Sequence, residues 1–199
     1  RRAREAGGIE TVVTGMMRHE EHAGVQKQGS TALWNMMSID EYEHNGDKVR
    51  EVGGVETVVK GMVRHEQHAG VQQEGCRFLW DFVTSEVNKV AVREAGGIEA
   101  VVRGMVRHEE HAGVQKQAIR FFRRIALHVR ENDVRMRQAG AIEAVVQSMV
   151  RHAEDAEVQE EGFGTLMNVM ANDEENHQRL RAAGGIEAIV NGLQRHQQV

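Results

Sequence analysis

The chain of 199 residues has no proline, one cysteine and only 4% aromatic residues. Ordinary usage would supply about ten prolines. A single cysteine cannot close an internal disulfide, which excludes a disulfide-stapled secreted scaffold. No apolar run approaches the roughly 18 residues of a membrane span. Few aromatics and no proline argue against an all-β sandwich with turn-rich loops. A basic excess is missing too: 25 Lys and Arg against 30 Asp and Glu give a net charge of −5. That balance gives no general nucleic-acid signal, so nucleic acid is not an expected partner, and neither is a membrane. Nothing at the N-terminus reads as a secretory leader. Arg1 in place of Met suggests a piece of a longer protein, and Cys76 suits a reducing compartment, so a cytoplasmic or nuclear location is expected.

What is present points to helices. Ala, Val, Met, Glu, Arg and Gln are plentiful, but so is glycine, at 21 residues, and glycine weakens helices. Self-comparison resolves the conflict. "REAGGIETVVTGMMRHEEHAGVQKQ" begins at Arg4 and returns in altered form at Arg50, Arg93 and Arg137. A truncated copy begins at Arg181. The leading glycines, Gly7, Gly53, Gly96, Gly140 and Gly184, lie 46, 43, 44 and 44 residues apart. Residues 1–199 therefore read as one array of about four repeats plus a terminal part-repeat.

Each unit reads as three helices: a short one before the glycine turn, a second after it, and a third starting near Val-Gln. Ile98, Val101, Val102 and Met105 recur at 3- and 4-residue spacing, one face of a second helix. Val25, Gly29, Ala32, Leu33, Met36 and Met37 form the apolar face of a third helix. Of the 21 glycines, 19 sit at repeat-locked positions. The turn glycines fit a positive φ. Gly15, Gly61, Gly104 and Gly192, inside the second helix, read as close-approach points between stacked helices. Met-rich runs such as "WNMM" and "MNVM" read as core filler.

The "AGGIExVV" turn, the "VQ" helix start and its "ALWN" or "LMN" continuation resemble the armadillo-repeat family over the whole chain. The resemblance implies an all-α fold, a right-handed α-α superhelix of armadillo repeats. It also implies a non-enzymatic protein-interaction scaffold, whose third helices line a concave groove for an extended partner segment. Many family members place proline just after Gly-Ile. Here Glu10, Glu56, Glu99, Glu143 and Glu187 hold that position, and a carboxylate suits a helix N-terminus as well.

The expected groove face carries Gln28, Thr31, Asn35 and Ser38; Glu74, Arg77, Asp81 and Thr84; Gln117, Arg120, Arg124 and Leu127; Glu161, Gly164, Asn168 and Ala171. The resemblance implies that an asparagine here bonds the partner's backbone. Asn35 and Asn168 keep it, while Asp81 and Arg124 replace it. Importin-alpha-like members add a tryptophan one turn earlier, where this chain has Thr31, Arg77, Arg120 and Gly164. Trp34 and Trp80 fall on the flank instead, as packing residues or rim anchors. Residues 116–137 hold seven basic and two acidic side chains, a net +5 in an acidic chain. Two readings follow. Arg77, Arg120 and Arg124 contact an acidic or phosphorylated protein segment, or they pair with Glu74, Asp81 and neighbouring carboxylates.

The histidines of "RHE(E/Q)H", such as His65 and His68, are three apart near a helix end. The zinc-protease motif needs histidines four apart with a glutamate between. The leading expectation is therefore a basic helix C-terminus, with a metal or pH role as the alternative. No cofactor or resident metal is expected, and Cys76 is expected in the core. Alternative functions are an architectural segment of a larger assembly and self-association end to end, since neither end shows a dedicated cap.

Overall fold

The computed structural model describes residues 7–37, 42–126, 129–170 and 174–196. Among these it contains thirteen helices and no strand. They are α1 (Gly8–Arg18), α2 (Ala23–Met37), α3 (Tyr42–Glu51), α4 (Gly54–Arg64), α5 (Ala69–Phe82), α6 (Glu86–Glu94) and α7 (Gly97–Arg107). Then come α8 (Ala112–Ile125), α9 (Arg130–Ala139), α10 (Ala141–Arg151), α11 (Ala156–Met170), α12 (Glu174–Ala182) and α13 (Gly185–His196). The all-α repeat of three helices per unit holds: α3–α5, α6–α8 and α9–α11 are complete units. The short helix expected before Gly7, and Ser38, Leu127 and Ala171, lie outside the described residues.

One glycine makes the turn from the short helix into the second. Gly53 has φ 73° and Gly96 φ 78°, a region where a Cβ is strained. The second helix then buries one stripe, in α4 Val55, Val58, Val59 and Met62. Its end is closed when the His65 amide donates to Gly61 O.

The third helices start two residues earlier than the Val-Gln dipeptide suggests. The reason is a side-chain cap: Nδ1 of His68 accepts from Val71 N at 3.3 Å. His22 and His111 do the same, and Asp155 takes that place in the fourth unit. Gly24, Gly70 and Gly113 therefore belong to the helix's first turn rather than preceding it.

The third helices α2, α5, α8 and α11 pack on one another in succession, and so do the second helices α1, α4, α7, α10 and α13. One core runs between the two rows, with Phe78, Phe82, Phe121 and Phe122 fully buried. Within a unit, the second-helix methionine seats on a third-helix glycine. A Cβ at Gly29 would lie 2.4 Å from Met16 Sδ.

A buried glutamine then joins the layers. Gln72 Nε2 donates to Met62 O at 2.8 Å and to His65 O at 3.0 Å, two carbonyls at the end of α4. Its Oε1 would stand 2.8 Å from a Cβ at Gly104, on the next unit's second helix. The expected close approach is therefore real at Gly61, Gly104 and Gly192, and what approaches is mainly this glutamine. Gly15 differs, with nothing within 4 Å, because no described unit precedes it.

At the other end α13 has no third helix on it among the described residues. Ile186, Val190 and Leu193 are 48, 45 and 46% exposed, against 0, 8 and 2% for Ile98, Val102 and Met105 at the same positions in α7.

Candidate functional site

The face of the stacked third helices gathers most of the residues singled out in the sequence. Trp34 on α2 is half-buried, and the Arg77 guanidinium of α5 lies 3.5 Å from its ring centroid. Trp80 on α5 repeats the arrangement one unit on, with Arg124 at 4.8 Å and Arg120 at 5.4 Å from the centroid. The tryptophans thus serve as floors for the next unit's arginines, a cation–π geometry that flank positions did not suggest.

Carboxylates hold the same arginines. Arg77 lies 3.8 Å from Glu74, which is itself buried and accepts from Thr31 Oγ1 at 3.2 Å. Arg124 lies 3.7 Å from Asp81 and donates to Trp80 O at 3.0 Å. Arg120 pairs with Glu157 and with Glu161 at 3.4 Å, and Arg123 reaches Glu161 at 2.9 Å. Lys116 reaches Asp155 at 3.1 Å and Glu157 at 3.2 Å. Three of the seven basic residues, Lys116, Arg120 and Arg123, are thus paired with the acidic residues of α11 and its cap, while Arg124, Arg135 and Arg137 pair with Asp81, Glu99 and Glu175.

The two asparagines part company. Asn35 is exposed on α2. Asn168 donates Nδ2 to Arg123 O at 3.0 Å, a bond across third helices. Arg124, at the same position one unit earlier, likewise donates to the preceding third helix. Position-equivalent side chains thus stitch neighbouring third helices together.

Titration follows these pairs. Hydrogen bonds that Lys116 donates to Asp155 and Glu157 raise it above the ordinary lysine value. Burial pushes Asp155 up, but Lys116 and the Val158 and Glu157 amides outweigh it and hold the carboxyl below its usual value. Burial also lowers Lys89 on α6, and Arg124 adds to that. Cys76 is fully buried, and its thiol is pushed up to about 12.

The sequence model of the protein zer-1 homolog-like, C-terminal domain, matches residues 14–199. The chain belongs to that family. Two crystal structures of engineered proteins share 28 and 29% identity and a TM-score of 0.80 with this zer-1-like array. Each alignment covers 95% of this chain, and 73 and 44% of the engineered chains respectively. A third engineered protein, 24% identical with TM-score 0.81, covers 98% of this chain and 81% of its own and shows the same fold. None of the curated proteins matches.

On the loop edge of the zer-1-like array the histidines have structural partners. The second histidine of each motif caps the third helix, as described. The first reaches back one unit: His65 Nε2 lies 2.7 Å from Glu20 O, and His108 Nε2 2.7 Å from Glu66 O. The arginine before it pairs with the preceding unit's carboxylate, Arg107 with Glu66 at 2.8 Å and Arg64 with Glu20 at 3.1 Å. The role of this edge is thus junction and cap as much as a basic helix end. Among the described residues no group of three or more His, Cys, Asp or Glu could hold a metal ion.

One set of residues escaped the sequence reading. Asn88 and Asn132, buried on the short helices, donate Nδ2 to Phe82 O and Ile125 O, both at 3.0 Å. Arg50 and Arg93 of the preceding units donate to their Oδ1 at 2.7 and 3.0 Å. Asn176 and Arg137 repeat this arrangement. The signal was present, since Asn45, Asn88, Asn132 and Asn176 recur at 43, 44 and 44 residues. Met167 corrects another reading: it is 68% exposed, because the "MNVM" run crosses from the core to the surface.

Proposed function

We propose that this chain is a non-enzymatic protein-interaction scaffold of armadillo type, and that an extended partner segment docks along the third helices as in a concave groove. The carrying observation is the alternation of Trp34, Arg77, Trp80, Arg120 and Arg124 along one face. Stacked cations on aromatic floors are preorganised to meet a planar or anionic group. Membership of the zer-1-like family and the single rigid core support a passive platform.

The segment is acidic or phosphorylated. Partly exposed ion pairs contribute only about 0–1 kcal/mol, so Glu157 and Glu161 yield Arg120 to an incoming dianion at small cost. Asn35 is placed to bond the partner's backbone, and Asp81 and Asn168 set its register. Extended acidic, phosphorylated and basic peptide libraries test this. Acidic or phosphorylated members should bind, and Arg120→Ala with Arg124→Ala should abolish binding. Equal binding of basic peptides would refute the proposal.

A further inference from the structure

Away from the third helices, one surface feature recurs in unit after unit without a part in the packing. Met17, Val63, Val106 and Val150 occupy the same register near the ends of α1, α4, α7 and α10, and are 61, 46, 63 and 57% exposed. Because the second helices lie side by side, these side chains form a row with one aliphatic group per unit. Singly exposed apolar residues carry no message, but a periodic row on a rigid array does.

Clefts open beside the row, between neighbouring second helices. Met17, Gln26, Gly61 and Arg64 line one of about 120 Å³. Val106, Gln115, Glu143 and Ser148 line another of about 340 Å³, between α7 and α10. Val150, Gln159, Gly192 and Arg195 line one of about 510 Å³, between α10 and α13.

In the middle cleft Ser148 stands where the other second helices have glycine, and its Oγ and Glu143 Oε2 are buried below the reach of a docked chain. Charge adds a direction. Lys60 and Arg103, three residues before Val63 and Val106, are exposed, and neither has an ion pair among the described residues.

We propose that this row is a second docking surface, occupied by an acidic, proline-rich segment of another protein in polyproline II conformation, with an aliphatic side chain at every third position. Packed helices lie about 8–10 Å apart. A polyproline II chain rises about 3.1 Å per residue with three residues per turn, so every third side chain returns to one face after about 9 Å. A β-strand returns after about 6.7 Å and falls out of step. An α-helix brings a side chain back to one face after about 5.4 Å, again out of step. Acidic residues between the aliphatic ones meet Lys60 and Arg103.

The probe is a fluorescently labelled (Leu-Pro-Asp)₄ peptide, titrated into the intact chain and read by anisotropy. It should bind, and V106D with V150D should weaken it at least tenfold while leaving helical content unchanged, since both sites face solvent. W80A should change the affinity less than twofold, which separates this surface from the third-helix face. Equal binding of a peptide with the same composition and scrambled leucine spacing would overturn the proposal. So would equal binding of (Leu-Pro-Lys)₄, indifference to V106D/V150D, or loss of binding in W80A.

Discussion

Gly15 and Gly61 occupy the same position in successive second helices and meet opposite surroundings. Nothing lies within 4 Å of a Cβ at Gly15, while one at Gly61 falls 2.8 Å from Gln26 Oε1. That oxygen cannot swing away at little cost, because Gln26 Nε2 is bonded to Met16 O at 2.9 Å and His19 O at 3.1 Å. Gly15→Ala should therefore stabilise the chain by about 0.5–1 kcal/mol, the helix-propensity gain alone. Gly61→Ala should destabilise it by about 1–3 kcal/mol through overpacking. Urea denaturation of the two variants, side by side, measures both. The glycine pattern was legible in the sequence, but its reason was not. Repeat spacing marks a position as constrained, yet only coordinates reveal that a glutamine from the preceding layer fills the space.

At the scale of single helices, the caps differ between units in an instructive way. His68 and His111 cap α5 and α8 through a ring nitrogen, while Asp155 caps α11 with a carboxylate that also binds Lys116. An anionic oxygen suits a helix N-terminus better than a neutral imidazole. His68→Asp should thus raise thermal stability, by about 0.3–1 kcal/mol, and His68→Ala should lower it. Asp155 makes stability depend on pH. Its folded pKa lies below the unfolded value, so its contribution is full above about pH 4 and fades as pH falls through the folded value. Asp155→Asn keeps a capping oxygen but no charge. The stability gap between the two proteins, followed by denaturation at successive pH values, should shrink below about pH 4. Helix periodicity gave element type correctly among the described residues, whereas starts were displaced at α2, α5, α8 and α11. Histidine is an uncommon cap, so α5 and α8 read two residues short, and α11, capped by Asp155, was read in their register.

Among the described residues, the junctions after the second, third and fourth units each carry one Arg–Asn link and a surface Arg–Glu pair, and Gln26, Gln72 and Gln159 reach across to the next second helix. Arg93→Ala would leave Asn132 Oδ1 buried without its donor. Such a loss costs about 1–3 kcal/mol, concentrated at one boundary between units. In a solenoid held by nearest-neighbour contacts, that weakens the link between the two sides more than either side itself. Hydrogen exchange should show faster opening of α9 to α13 than in the parent chain, with α3 to α5 nearly unchanged. The third-helix face was only partly legible. Arg77, Arg120, Arg124 and both tryptophans were singled out from spacing and charge. Their mutual stacking joins residues from adjacent units, and a pattern read one unit at a time cannot supply a contact made between two.

The Arg–Asn link has a consequence for how such a chain can change. Donor and acceptor are the same residue types at each described junction, Arg50 to Asn88, Arg93 to Asn132 and Arg137 to Asn176. A unit therefore recognises its neighbour by a common plug and socket, indifferent to what either displays outward. Reordering, duplicating or deleting a unit would keep this one bond at each remaining joint while rewriting the order of groups on the surface. Novelty in this protein is open to shuffling of whole modules, without waiting for point changes one at a time.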